Sequence, residues 1–360
     1  MTSADAHEDA SGRDAAAKSA ASPAVAAWLA TVCVLVVAII MVGGLTRLTD
    51  SGLSITEWDV VMGTLPPLGE AAWGEAFRQY QQTTEYQQLN FAMTLAEFKT
   101  IFWWEWGHRL LGRVIGMIYL VGLVVFWIRG RLPAALKPRF VAIFILIGFQ
   151  GAIGWWMVTS GLVGRLDVSQ HRLAAHLMTA FLILAVTWWT FWDVRAGEVR
   201  VLRPASRLGV AAAAMMLLVT LQIALGAYVA GLDGGRVYTQ WPLINGAIAP
   251  ADYAAFEPFW RNLVDNPLTV QINHRYVGYA VVLAGLAIWL FGSKGASGRE
   301  RAMLGLLAAA CAGQAALGVT TLVNTSPIEL SSMHQLGAVA VFLIAVVLVR
   351  ETAVSRRLRR

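Results

Sequence analysis

Charge is scarce in these 360 residues: Asp, Glu, Lys and Arg make up 14%, against 57% hydrophobic residues and a mean hydropathy of +0.59. Soluble domains carry about 25% charged residues, so the shortage excludes an ordinary soluble fold and puts the chain in a bilayer. Cysteine is scarcer still. Cys33 and Cys311 both fall inside apolar runs, so neither outer loop can hold an internal disulfide. No apolar run carries the mid-membrane Gly/Pro interruption of a transporter's discontinuous helices. The first run lacks a small-residue cleavage site after Leu45 and exceeds a signal-peptide core, so it is expected to stay as a span.

Long apolar runs, by contrast, are plentiful. Crossing the hydrocarbon core takes about 20 apolar residues, and lipid offers no hydrogen-bond partners, so the spans must be helices or a closed barrel. Runs of helical length recur at 24–45, 106–128, 140–159, 172–192, 208–230, 272–291, 302–323 and 332–349. The net charge of +6 does not mark a nucleic-acid face, because the basic residues lie in short connections. Arg129, Arg131, Lys137 and Arg139 follow span two; Arg195, Arg200, Arg203 and Arg207 follow span four. Lys294, Arg299 and Arg301 follow span six, and Arg356, Arg357, Arg359 and Arg360 follow span eight. The positive-inside rule makes all of these cytoplasmic, with both termini inside. Residues 1–23, rich in Ala and Ser, read as a disordered cytoplasmic tail. That tail carries Asp5, Glu8, Asp9 and Asp14 beside Arg13 and Lys18, unlike an acid-poor mitochondrial transit peptide, so a bacterial inner membrane is expected.

The chain repeats itself. Gln is followed four residues on by Gly at Gln150 and Gly154, Gln222 and Gly226, and Gln314 and Gly318. Span one keeps Gly44 but has Ile40 in the glutamine's place, while Trp106-Gly107-His108-Arg109 matches Ile272-Asn273-His274-Arg275. Spans one to four therefore align on five to eight as parallel repeats. The expected fold is an all-α integral membrane protein, its eight transmembrane helices forming two pseudo-symmetric four-helix bundles. Residues 24–194 form the first bundle with its long outer loop, 195–205 a cytoplasmic linker, 206–350 the second bundle, and 351–360 a basic cytoplasmic tail. The Gln and Gly positions serve either helix packing or a flat ligand laid against the glycine face. The long outer connection 47–105 is rich in aromatic residues, and parts of it, such as 69–89, are expected to form helices lying over the outer surface; it acts either as a cap or as ordinary loop packing.

Histidine carries the strongest signal. Apart from His7 in the tail, His108, His171, His176, His274 and His334 all fall near the outer ends of even-numbered spans. Ionisable groups at matching depth, a pair in each half, point to a metal or haem held by two imidazoles from facing helices. Zinc would want three or four ligands drawn from His, Cys and carboxylates in a tight cluster, and no second Cys or Asp accompanies these positions. Arg109 and Arg275 could pair with haem propionates or anchor at the headgroups. The repeat leaves open whether His171 or His176 is the span-four ligand; five residues turn a helix by about 140°, so they do not share one centre. Glu105 lies three residues before His108 on the same helix face, either as an acid–base group or as an interfacial carboxylate. On these residues alone, an electron-transferring cytochrome of the b type and a haem carrier stay open as alternatives.

A longer set of motifs narrows this. Gly43-Gly44-Leu45-Thr46-Arg47-Leu48-Thr49, Ser51-Gly52-Leu53-Ser54, Glu57-Trp58, Gly63-Thr64-Leu65-Pro66-Pro67, Glu105-Trp106-Gly107-His108-Arg109, Arg172-Leu173-Ala174-Ala175-His176-Leu177 and Asn273-His274-Arg275 occur in order. Together they resemble the haem A synthases, a family of mitochondrial assembly factors and bacterial relatives, over nearly all the chain after Pro23. The resemblance implies oxidation of a methyl group of haem O to the formyl group of haem A for terminal oxidases. Two successive hydroxylations are implied, the gem-diol then losing water. It further implies that His274 and His334, with Arg275, hold a haem b cofactor in the second half. His108 and His176, with Arg109, are the implied substrate-haem ligands of the first half, and Glu105 the implied catalytic residue. A haem O synthase and an electron donor are implied partners beside the lipid bilayer. His171 departs from the family pattern, which has Tyr there, and the cysteine pair of some relatives is missing.

Overall fold

The computed structural model describes residues 23–59, 62–204 and 206–357. The expected disordered tail, but for Pro23, lies outside them, as do Arg359 and Arg360. Among the described residues, eight long helices are apolar enough to cross a membrane: α1 Pro23–Leu48, α2 Leu95–Ile128, α3 Lys137–Val158, α4 Gln170–Ala196, α5 Arg207–Gly231, α6 Pro267–Gly292, α7 Gly298–Val323 and α8 Ile328–Glu351. Every expected span is present, several starting earlier than their apolar runs. The clearest case is α2, which begins at Leu95 rather than at 106 because Thr94 and Glu97 close a capping box. Asn266 caps α6 in the same spirit, its side chain accepting from the amides of Leu268 and Thr269.

Neighbour order is the same in both halves. In the first, α1 packs on α2 and α4, and α3 completes the ring between α2 and α4; in the second, α5 packs on α6 and α8, with α7 between them. The halves meet where α4 lies on α5 and where α8 lies on α1 and α4. Phe181 of α4 and Phe342 of α8 cross this seam edge to face, with ring centroids 4.9 Å apart. On the outer faces Ile145 and Leu217 stay 63% and 71% exposed, as apolar side chains turned toward lipid are.

The two ends of the bundle pair differ. At the basic end the expected linker 195–205 is not a simple connection: Gly197, left-handed at φ 64°, ends α4, and β1 (Glu198–Pro204) pairs antiparallel with β2 (Ala353–Arg357). Alternating apolar residues were too few there to read as strand, and the pairing depends on the two ends of the chain half meeting. Beneath it Asp193, fully buried, receives Arg350 Nε at 2.9 Å and Arg139 Nη1 at 2.6 Å. At the opposite end the long loop carries two short helices, Gly69–Tyr80 and Thr84–Gln88, within the stretch expected to be helical. Thr83 divides them by accepting from the Tyr86 amide as a new N-cap. Trp73 and Tyr80 of this loop pack on Phe98 and Phe102 of the early turns of α2, and that cluster holds the extension in place.

Candidate functional site

His108 of α2 and His176 of α4 face each other with ring centroids 6.5 Å apart and planes at 72°. His274 of α6 and His334 of α8 repeat this at 6.4 Å and 80°. Two imidazoles on opposite sides of one metal ion, with metal–nitrogen bonds of about 2.0 Å and each nitrogen about 1.1 Å from its centroid, stand about 6.3 Å apart. The separation of both pairs matches that spacing, which is what a haem iron between two imidazoles requires. Each ring leans on a glycine of a neighbouring helix. A Cβ would come within 3.0 Å of His108 at Gly43, 3.0 Å of His176 at Gly154, 3.1 Å of His274 at Gly226 and 2.7 Å of His334 at Gly318. A side chain at any of these would push the imidazole aside, so the small residues make slots for the rings.

Glu105, one turn before His108, is buried at 3% exposure. Its Oε2 accepts from Ser54 Oγ at 2.7 Å and from the Ile55 amide at 2.8 Å, while Oε1 accepts from Arg109 Nη2 at 2.5 Å. Three donors from the outer loop and from α2 thus hold the carboxylate in one place. The equivalent position in the second half is Gln271, also buried, whose Oε1 accepts from Arg275 Nη2 at 3.3 Å. The halves share their imidazole geometry but not this charge.

A family of cytochrome oxidase assembly proteins matches residues 26–346. The protein named Heme A synthase from Maricaulis maris is 49% identical over 323 residues, 89% of this chain and 94% of its own length. Those of the same name from Parvibaculum lavamentivorans and Rhodopseudomonas palustris (strain BisA53) are 46% and 47% identical, covering 90% of this chain and 92% and 89% of their own lengths. The chain belongs to the haem A synthase family.

In this member of the haem A synthase family, His171 stands apart from the pairs. It is exposed, with Nε2 3.1 Å from Asp265 and Nδ1 3.4 Å from Tyr228 Oη. Of the two span-four histidines, His176 is the one that faces His108. The arginines are engaged with the outer loops rather than pointing free. Arg109 donates to the Ile55 and Glu57 carbonyls at 2.8 Å each, and Arg275 donates to the Gln240 and Pro242 carbonyls at 2.9 Å each. In both, Nε is buried without a hydrogen-bond partner among the described residues.

One register reading is corrected. The repeat aligned Ile40 and Gly44 on Gln222 and Gly226, but the structure sets Gly43 against His108. It puts Ile39 in the glutamine's place: Ile39 Cδ1 is 3.5 Å from a Cβ at Gly112, just as Gln222 Nε2 is 3.2 Å from one at Gly278. Each of these glycines lies four residues after its histidine. Gly44 instead admits Gln335 of α8, whose amide donates to the Ile40 carbonyl at 2.7 Å. Two adjacent glycines leave the register undecided in sequence. Ser54 and Gln271 were also unread as site residues, because nothing local says that a loop serine reaches a helix carboxylate.

Proposed function

We propose that this protein is a haem A synthase, converting a methyl group of haem O to the formyl group of haem A for terminal oxidases, by successive hydroxylations. In this reading His274 and His334 hold haem b, and His108 and His176 receive haem O from the bilayer. A haem O synthase supplies it, the four electrons that leave the methyl carbon pass to an external oxidant, and an electron donor completes the turnover. The observation that carries the reading is the unequal chemistry of two equal pairs: Glu105 beside one, Gln271 beside the other. An electron-transfer cytochrome would have no use for that difference. Bound haem supplies the redox capacity, and the polypeptide supplies ligation, orientation and proton handling. Glu105, fixed by Arg109 and the loop, takes up a proton from the reacting substrate at Oε2, with Ser54 Oγ next to it as the first hydroxyl on the way out. The Arg109 and Arg275 Nε groups orient the propionate edges. The basic connections put both termini in the cytoplasm and the paired histidines toward the outer leaflet of a bacterial inner membrane.

The test is expression in cells that make haem O but lack their own synthase, with extracted haems separated by reversed-phase chromatography and mass detection. Haem A or its hydroxylated precursor is expected; bound but unchanged haem, with expression verified, would overturn the reading in favour of a carrier or cytochrome. Glu105→Ala should keep its haem and lose conversion by at least about a hundredfold, whereas His274→Ala and His334→Ala should lose the cofactor haem.

A further inference from the structure

Three of the four paired histidines are gripped by a glutamine of the neighbouring odd-numbered helix. Gln150 Nε2 donates to the His176 carbonyl at 3.0 Å and lies 3.2 Å from its ring Nδ1. Gln314 Nε2 donates to the His334 carbonyl at 2.7 Å and lies 3.0 Å from Nδ1. Gln222 Nε2 lies 3.3 Å from His274 Nε2. At His176 and His334 the amide touches both the ring and that residue's own backbone, and at His274 it touches the ring alone; each contact restrains the ring's rotation about its side-chain bonds. At the fourth histidine, His108, the matching position holds Ile39, whose methyl end fills the space over Gly112. A hydrocarbon there packs against the ring's surroundings but cannot hold its orientation.

We infer that His108 is the exchangeable ligand of the molecule, and that Ile39 in place of a glutamine makes the first pair a site that loads and releases haem while the second retains it. This rests on reading both pairs as haem ligands, and it names the residue that separates a substrate site from a cofactor site of the same geometry. Outer-shell partners of a metal-bound histidine change affinity by about 10–100-fold. A synthase needs that difference, since its product must leave and its cofactor must stay. Gln150, Gln222 and Gln314 act here as positioning residues, through the imidazoles they hold.

The reciprocal exchanges Ile39→Gln and Gln222→Ile test this in the full-length, haem-loaded protein. Haem is drawn off by excess apomyoglobin and followed in the Soret band, with His108→Ala and His274→Ala assigning the phases. The parent should release haem in a fast and a slow phase. Ile39→Gln should slow the fast one by about 10–100-fold, and Gln222→Ile should speed the slow one to a similar degree. The low-spin electron paramagnetic resonance signal, which reports the angle between ligand planes, should sharpen in the first variant and broaden in the second. A single release phase in the parent, or release rates that ignore the exchange in a variant retaining its low-spin spectrum, would overturn the inference. Should Ile39→Gln not accumulate, Gln222→Ile decides alone. Haem A formation is measured on the same membranes. Two phases that follow the exchanges without any haem A would end the synthase reading and leave this one; haem A with indifferent release would do the reverse.

Discussion

At Gly318 the difference between a hydrogen and a methyl group decides where an imidazole can stand. A Cβ there would lie 2.7 Å from His334 Cε1, and the ring has the α7 backbone behind it and its partner ring in front. Gly318→Ala should therefore displace the ring at a cost of about 1–3 kcal/mol, and the purified protein should carry about half the parent's haem. Gly74→Ala is the control. Among the described residues nothing lies within 4 Å of a Cβ at that position, in the Gly69–Tyr80 helix, so haem content should not change and the helix should gain about 1 kcal/mol. Glu85 is the other residue whose surroundings matter more than its type. Burial, then Asp167 and Asp50, push its carboxyl up from 4.5 to about 8. The folded loop keeps a proton that the unfolded loop releases, so its stability falls as pH rises from 4.5 toward about 8. Amide-exchange protection of residues 84–88, corrected for intrinsic rates, should drop over that range in the parent and stay level in Glu85→Gln.

The element that departs furthest from its apolar run is α2. Its first turns carry Glu97, Lys99 and Glu105, which lower the local hydropathy and hide a helix that the capping box and an aromatic cluster both require. Phe98, fully buried against Tyr80 and Phe77, is the keystone of that cluster. Phe98→Ala should cost about 3–5 kcal/mol of local stability, seen as early proteolysis of the outer loop while the spans stay intact. The loop would then lose its hold on Glu105, since Ser54 and Ile55 arrive from the same segment, so conversion should fall with it. The matching loop of the second half is tied down by Arg275 through two carbonyls, as Arg109 ties the first. A guanidinium fork suits this work because one planar group reaches two acceptors at once.

Across the whole molecule the two halves are joined at the basic end by a buried charge and a strand pair. Asp193 of α4 sits between Arg350 of α8 and Arg139 of α3, while Arg200 on β1 reaches the Arg350 and Glu351 carbonyls. Asp193→Ala leaves Arg350 buried without its main partner and should destabilise by about 3–5 kcal/mol. The expected result is a lower melting temperature in detergent and early loss of the α8 end to protease.

The number of spans, their order and the doubling of the plan were all legible in the residues, because lipid allows a polypeptide few solutions and each span must show itself as an apolar run. The paired histidines were legible for the same reason, as ionisable groups stand out against hydrocarbon. Geometry across helices was not. Whether Gly43 or Gly44 meets His108, that Ser54 reaches Glu105 and that β1 finds β2 all depend on contacts between segments far apart in the chain. Such contacts are set by how helices rotate about their own axes when they pack, and a one-residue change in register turns a side chain by about 100°. Local composition carries no record of that rotation; close packing of the whole bundle selects it.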